Sequence, residues 1–134
     1  MIQAVMICAS LLMHDGDSGR CDGVPVRLAG VDAGEVAPFT RCRERPNVWA
    51  CSPAARSTAS AATRRARELA SAGAQCTDTG GRSWRRIVVR CTVNARDLGS
   101  ILVREGLARS DPDFGDQYRL EETYARIRRR GLWE

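Results

Sequence analysis

Two Asp-Gly pairs near the start of the chain, Asp15-Gly16 and Asp22-Gly23, constrain its fold more than any other feature. Asp and Gly tolerate the conformations of tight turns, and Asp-Gly between extended stretches is a strong hairpin signal. The chain around them must therefore run as short strands that double back. Ala4 to Met13 is apolar, lacks breakers and reads as a first strand. Ser18 to Asp22 reads as a second, and Val24 to Val31 as a third, with Val24, Val26 and Leu28 on one face. Together they predict a three-stranded antiparallel meander. Met1 to Met13 carries no basic residue, is too short to span a membrane and lacks the charged start of a signal peptide. It is expected to be part of the folded domain, with any export signal preceding it.

Asp32 to Cys51 has no hydrophobic period and is expected to be a loop. Ser52 as N-cap and Pro53 at the first helical position then open a helix. Ala55, Ala59, Ala62, Ala66 and Leu69 form its apolar stripe, and Gly73 is its stop. Arg56, Arg64, Arg65 and Arg67 lie largely off the stripe, as a solvated face. Ala74 to Asp78 and Trp84 to Val93 read as two strands around a Gly80-Gly81 loop. A short helix follows from Leu98 to Glu105, with Asp97 as cap and Gly106 as stop. The last helix, Tyr118 to Arg130, is expected to bury Leu120, Tyr124 and Ile127 and to end at Gly131. Glu122 and Arg126 are an i,i+4 pair in the favourable order. Strands with a helix inserted after the third are the pattern of a five-stranded OB barrel. The expectation is an α+β fold: a five-stranded antiparallel OB-type barrel with about three helices, forming one domain over 1–134.

The formal net charge is +5, and all 21 basic residues are arginines. Such a field attracts polyanions, and an arginine fork can grip a phosphate with two hydrogen bonds. Six cysteines, at 8, 21, 42, 51, 76 and 91, suggest disulfides and an oxidising compartment, so a secreted or periplasmic protein. Zinc is a poor alternative, because there is no Cys-x-x-Cys and His14 is the only histidine. A hairpin centred between Ser83 and Trp84 would set Cys76 opposite Cys91. Cys8 would face Cys21 about a centre near His14-Asp15, leaving Cys42 with Cys51.

Asp15, Asp17, Arg27, Asp32 and Glu35 are the candidate chemistry. In a meander the loops after the first and third strands share one end of the sheet, so Asp17 and Asp32 approach each other. Like charges that close call for a cation, and oxygen ligands suit a hard ion such as calcium. The sequence resembles the staphylococcal nuclease family in Asp15-Gly16-Asp17-Ser18 and in the run from Val26 to Glu35. It does so again in Trp84 to Cys91, Leu102 to Ala108 and Arg130-Gly131-Leu132-Trp133. The resemblance implies that Asp17, Asp32 and the carbonyl of Ala33 ligate one calcium ion. It implies that Glu35 positions or deprotonates the attacking water, and that Arg27 and Arg86 clamp the phosphate. The expected activity is hydrolysis of DNA and/or RNA, typically leaving 3′-phosphates.

The sequence departs from the family in Ser110 to Asp116, which is acidic where tyrosines that stack on the substrate often follow Leu-Ala, and at three further places. Ser18 stands for the usual Thr, Gly34 for a Pro, and Trp84-Arg85-Arg86 for Tyr-Gly-Arg. Asp15 either supports the site from behind or only shapes the turn, and Trp84 either stacks on a base or packs inside. His14 is read as structural or as supporting the site from behind. The expected partner is nucleic acid, with no membrane partner and a monomeric state. The alternatives are a catalytically weak nucleic-acid-binding module of the same fold, and a disulfide-stapled protein that binds an acidic partner.

Overall fold

The computed structural model describes residues 3–36, 42–45 and 48–134. In chain order its elements are β1 (Val5–Cys8), β2 (Leu11–Met13), β3 (Ser18–Cys21), β4 (Val24–Leu28), β5 (Val31–Asp32), β6 (Arg43–Arg45), β7 (Val48–Trp49) and α1 (Pro53–Leu69). These are followed by β8 (Ala74–Ser83), β9 (Arg86–Val93), β10 (Arg96–Asp97), α2 (Leu98–Arg104), β11 (Arg109–Ser110) and α3 (Arg119–Ile127).

The first expected strand is in fact two. The carboxylate of Asp22 accepts the backbone N–H groups of Ala9 (3.1 Å) and Ser10 (2.8 Å), and the Asp22 N–H donates back to Ser10 O (2.9 Å). These bonds replace ladder bonds, so the strand bends and its halves take different neighbours: β1 pairs with β8, and β2 with β3. The main sheet runs β1-β8-β9-β4-β3-β2. Its two end strands are consecutive in the chain, so the bend brings the sheet round on itself in an OB-like architecture. One pairing corrects the all-antiparallel expectation. β4 and β9 are parallel, because α1 and β8 lie between them in sequence and return the chain to run alongside β4.

Asp22-Gly23 forms the expected turn, both residues having positive φ (46° and 87°). The third strand stops at Leu28, and β5 pairs with β11 instead. The stretch expected to be a loop contains the antiparallel pair β6–β7. The Gly80-Gly81 loop is also overturned: both glycines lie within β8, and the turn falls at Trp84-Arg85. The register shifts between Asp78 and Arg82, so Cys76 still faces Cys91 although the hairpin tip lies one residue further on.

Disulfides join Cys8 to Cys21, Cys42 to Cys51 and Cys76 to Cys91. Cys8 reaches Cys21 across the bend, since the ladder partner of Cys21 on that side is Leu11. The first and third bridges touch, with 3.6 Å between Cys8 Sγ and Cys76 Sγ. Around them lies the core, including Met13, Val26, Val31, Val89, Leu98, Leu102 and Val103.

Helix α1 starts as expected, with Ser52 Oγ accepting the Ala55 N–H. It buries Ala55, Ala59, Ala62 and Ala66. Its arginines are not simply a solvated face. Arg67 donates to Met13 O (2.8 Å), Arg56 to Cys51 O (3.0 Å), and Arg65 pairs with Glu105 (2.9 Å) and Glu68 (3.0 Å). Helix α3 corrects the sequence reading more sharply. It ends at Ile127, and it buries Ala125, with Tyr118 just before it, while Leu120 is 82% and Ile127 75% exposed. The Glu122–Arg126 pair forms at 3.2 Å, and Glu122 also accepts the Ser110 N–H. That carboxylate bond ties the polar side of α3 to β11 and turns the apolar stripe outward.

Candidate active site

The loop after β2 and the segment after β5 meet under α1, and small residues let them. A Cβ on Gly16 would lie 2.8 Å from Ala33 Cβ and 2.9 Å from Ala62 Cβ. One on Gly34 would lie 2.9 Å from Ala59 Cβ. The alanine stripe of α1 is thus the floor on which both acidic segments rest. Gly34, which replaces the family's proline, is fixed by this contact. Asp15 has a definite part as well. Its Oδ1 accepts the Val36 N–H (3.0 Å) and its Oδ2 the Ser18 hydroxyl (3.3 Å). It thereby ties the first turn to the segment that carries Glu35.

Asp15, Asp17, Ser18, Arg27, Asp32, Ala33, Glu35, Ser83, Trp84, Arg86 and Asp111 line one cleft of about 180 Å³. It therefore brings together every expected site residue. Asp17 is buried, and its Oδ2 receives both the Ala33 N–H (2.8 Å) and Arg27 Nη1 (3.0 Å). Burial pushes the Asp17 carboxyl above its ordinary range, and the charge of Arg27 offsets this only in part. Burial works against the Arg27 charge, but Asp17, with smaller contributions from Asp32 and Asp111, raises the guanidinium pKa overall. Arg27 Nη2 donates to Val31 O (3.1 Å), which holds the fork in place.

Across the cleft, Arg86 donates through Nε to Ser83 O (3.3 Å) and through Nη2 to Ser83 Oγ (3.1 Å). It is the arginine of its cluster that reaches the site. Arg85 is exposed outside the cleft, and Arg82 is paired with Asp78 at 3.1 Å. The hairpin that carries them turns without the family's glycine, with Trp84 at φ 58°.

A family model described as staphylococcal nuclease homologue matches residues 25–134. The chain belongs to the staphylococcal nuclease family. The match takes in Arg27, Asp32, Ala33, Glu35 and Arg86 and begins after Asp15 and Asp17. Those two residues enter the same cleft because β3 pairs with β4, with Ser18 opposite Arg27. No curated protein matches the chain.

Within this family frame, the structure adds two cleft residues that the sequence did not single out. Ser83 holds Arg86, and Asp111 contributes a further buried carboxylate. The Asp111-Pro112 junction marks a turn in sequence, but nothing local brings it to the site. The Asp111 N–H donates to Gly30 O (2.9 Å) and carries it there. Trp84 stands 91% exposed at the rim, which excludes the packed alternative. His14 is exposed and does not line the cleft. Among the described residues no three His, Cys, Asp or Glu side chains converge as a ready metal cluster. The expected ligand set needs only two, with a backbone carbonyl as the third donor.

Proposed function

We propose that this chain is a calcium-dependent phosphodiesterase that hydrolyses DNA and/or RNA. The observation that carries the reading is the convergence of Asp17, Asp32, Glu35, Arg27 and Arg86 on one cleft. The donor chemistry fits the ion, since Asp17, Asp32 and Ala33 offer only oxygens, which a hard cation prefers. These three residues would hold calcium, which when bound supplies positive charge to the scissile phosphate and a site for the attacking water.

Glu35 takes the proton as the water oxygen bonds to phosphorus and the opposite P–O ester bond breaks. Arg27 and Arg86 grip the non-bridging oxygens, where charge builds in the transition state. Asp15 positions Glu35 by holding Val36, and Ser83 positions Arg86. Trp84 offers a flat apolar face to a base at the rim. The three disulfides support an oxidising location, secreted or periplasmic.

The test is cleavage of single-stranded DNA and of RNA, with calcium and then with a chelator. Cleavage is expected to require calcium and to fall at least about a hundredfold in Glu35→Ala and in Arg27→Ala. Wild-type rates in both variants would refute the site. One observation favours a second reading, a binding module of the same fold: Arg27, one of the two clamps, is already paired with Asp17. A folded protein that binds an oligonucleotide in calcium and leaves it intact would establish that reading.

A further inference from the structure

Helix α3 carries an apolar stripe whose two ends nothing among the described residues covers. Leu120, Tyr124 and Ile127 recur at the spacing of one helix face, yet Leu120 and Ile127 are 82% and 75% exposed. Tyr124, between them, is encircled by arginines. The guanidinium carbons of Arg104, Arg128 and Arg130 lie 4.0, 5.0 and 5.4 Å from its ring centroid. The first comes from the last turn of α2 and the others from the end of α3. Among the described residues none of the three pairs with a carboxylate. Three like charges around one ring repel each other, and the partial negative charge of two helix ends only partly compensates.

The backbone at the end of α3 brings them there. The Arg130 N–H donates to Ala125 O (3.0 Å) and the Arg129 N–H to Arg126 O (3.1 Å), the six-to-one and five-to-two bonds of a helix C-cap. Arg129 occupies its left-handed position (φ 51°), which glycine takes most easily. The chain reverses there, and Arg130 returns to Tyr124.

We propose that this face, with Leu120, Tyr124 and Ile127 ringed by Arg104, Arg128 and Arg130, docks on an anionic lipid surface. Charge complementarity identifies the partner as anionic. The apolar side chains argue for lipid over a nucleic-acid backbone, which has no use for an exposed Leu and Ile. Shape argues the same way: the stripe is a helix ridge, set apart from the cleft and from three hollows beside α1. An apolar ridge with arginines along its border suits the headgroup region, where Leu and Ile sink below the phosphates and arginine meets them. No described helix is long and apolar enough to cross a membrane. The contact is therefore peripheral, and the expectation of no membrane partner, drawn from span length, does not bear on it. None of these six residues lines the cleft, so the inference stands apart from the nuclease reading.

The test is co-sedimentation of the full chain with two vesicle preparations, pure phosphatidylcholine and equal parts of phosphatidylcholine and phosphatidylglycerol. Binding is expected only to the second. It should fall roughly tenfold or more in Arg128→Gln/Arg130→Gln and in Leu120→Ser/Ile127→Ser. Circular dichroism should show both variants folded, with cleavage of a small phosphodiester unchanged. Three results would overturn the proposal. Binding to neither vesicle would leave the face to an acidic protein. Binding lost only in the arginine variant would mark a general polyanion patch. Equal binding to both vesicles would remove the role of charge.

Discussion

Helices α1 and α3 read alike in the sequence and behave as opposites in the fold. Each is rich in arginine and striped with apolar residues at helical spacing. In α1 the stripe is alanine, and it is buried against Gly16, Ala33 and Gly34. In α3 the stripe is Leu, Tyr and Ile; Leu120 and Ile127 face solvent and Tyr124 lies half-buried under arginines, while Ala125 packs inside. The greater hydrophobicity lies on the helix that exposes it. Space and polar anchoring decide the outcome. Only methyl groups fit where two loops press against a helix, whereas the Glu122 bond to the Ser110 N–H turns the polar side of α3 inward. A helical period shows that a helix has an apolar face; it does not show what covers that face.

The contrast breaks first at Ala62. Ala62→Leu inserts three carbons where Gly16 leaves no room, and is expected to cost about 3 kcal/mol with a clear loss of cleavage. Thermal unfolding and a rate measurement would check both, and an unchanged Tm would mean that the floor is not tight. Gly34→Ala tests the same packing with a single carbon. It should destabilise by about 1–2 kcal/mol in a urea titration and lower the rate by displacing Glu35. The smallest effect belongs to α3. Leu120→Ser/Ile127→Ser is expected to change stability by less than about 0.5 kcal/mol. A cost near that of Ala62→Leu would show that the outer stripe is covered after all.

Local signals carried much of the reading. Asp22-Gly23 acts through its own backbone, and Ser52 and Asp97 through side chains that accept N–H groups three residues on, so this turn and these caps were legible from adjacent residues. Asp17, Arg27 and Asp32 were legible together because short strands leave few ways to arrange them, whereas Ala33, Glu35 and Arg86 were legible only through the family resemblance. The bend at Ala9-Ser10 was not, because the carboxylate that makes it belongs to Asp22, beyond a turn and another strand. The parallel β4–β9 pairing escaped for a related reason, as strand direction is set by the path of the intervening chain. Asp111 and Ser83 were missed because their roles depend on contacts with Gly30 and Arg86 that no local pattern encodes. The hairpin centre was misplaced by one residue, yet Cys76 and Cys91 were matched, because the bulge before the tip compensates for the shift.

The bond between Cys8 and Cys21 encloses the turn that carries Asp15 and Asp17. Those two carboxylates therefore sit on a covalent ring. Ser10, Leu12, His14 and Arg20 on that ring are exposed, and they are where a protease would meet it. A single cut there opens the ring but releases nothing, since both new ends stay tied through the sulfurs and the flanking ladders. A chain cut there is nicked next to its own acidic residues and remains one molecule.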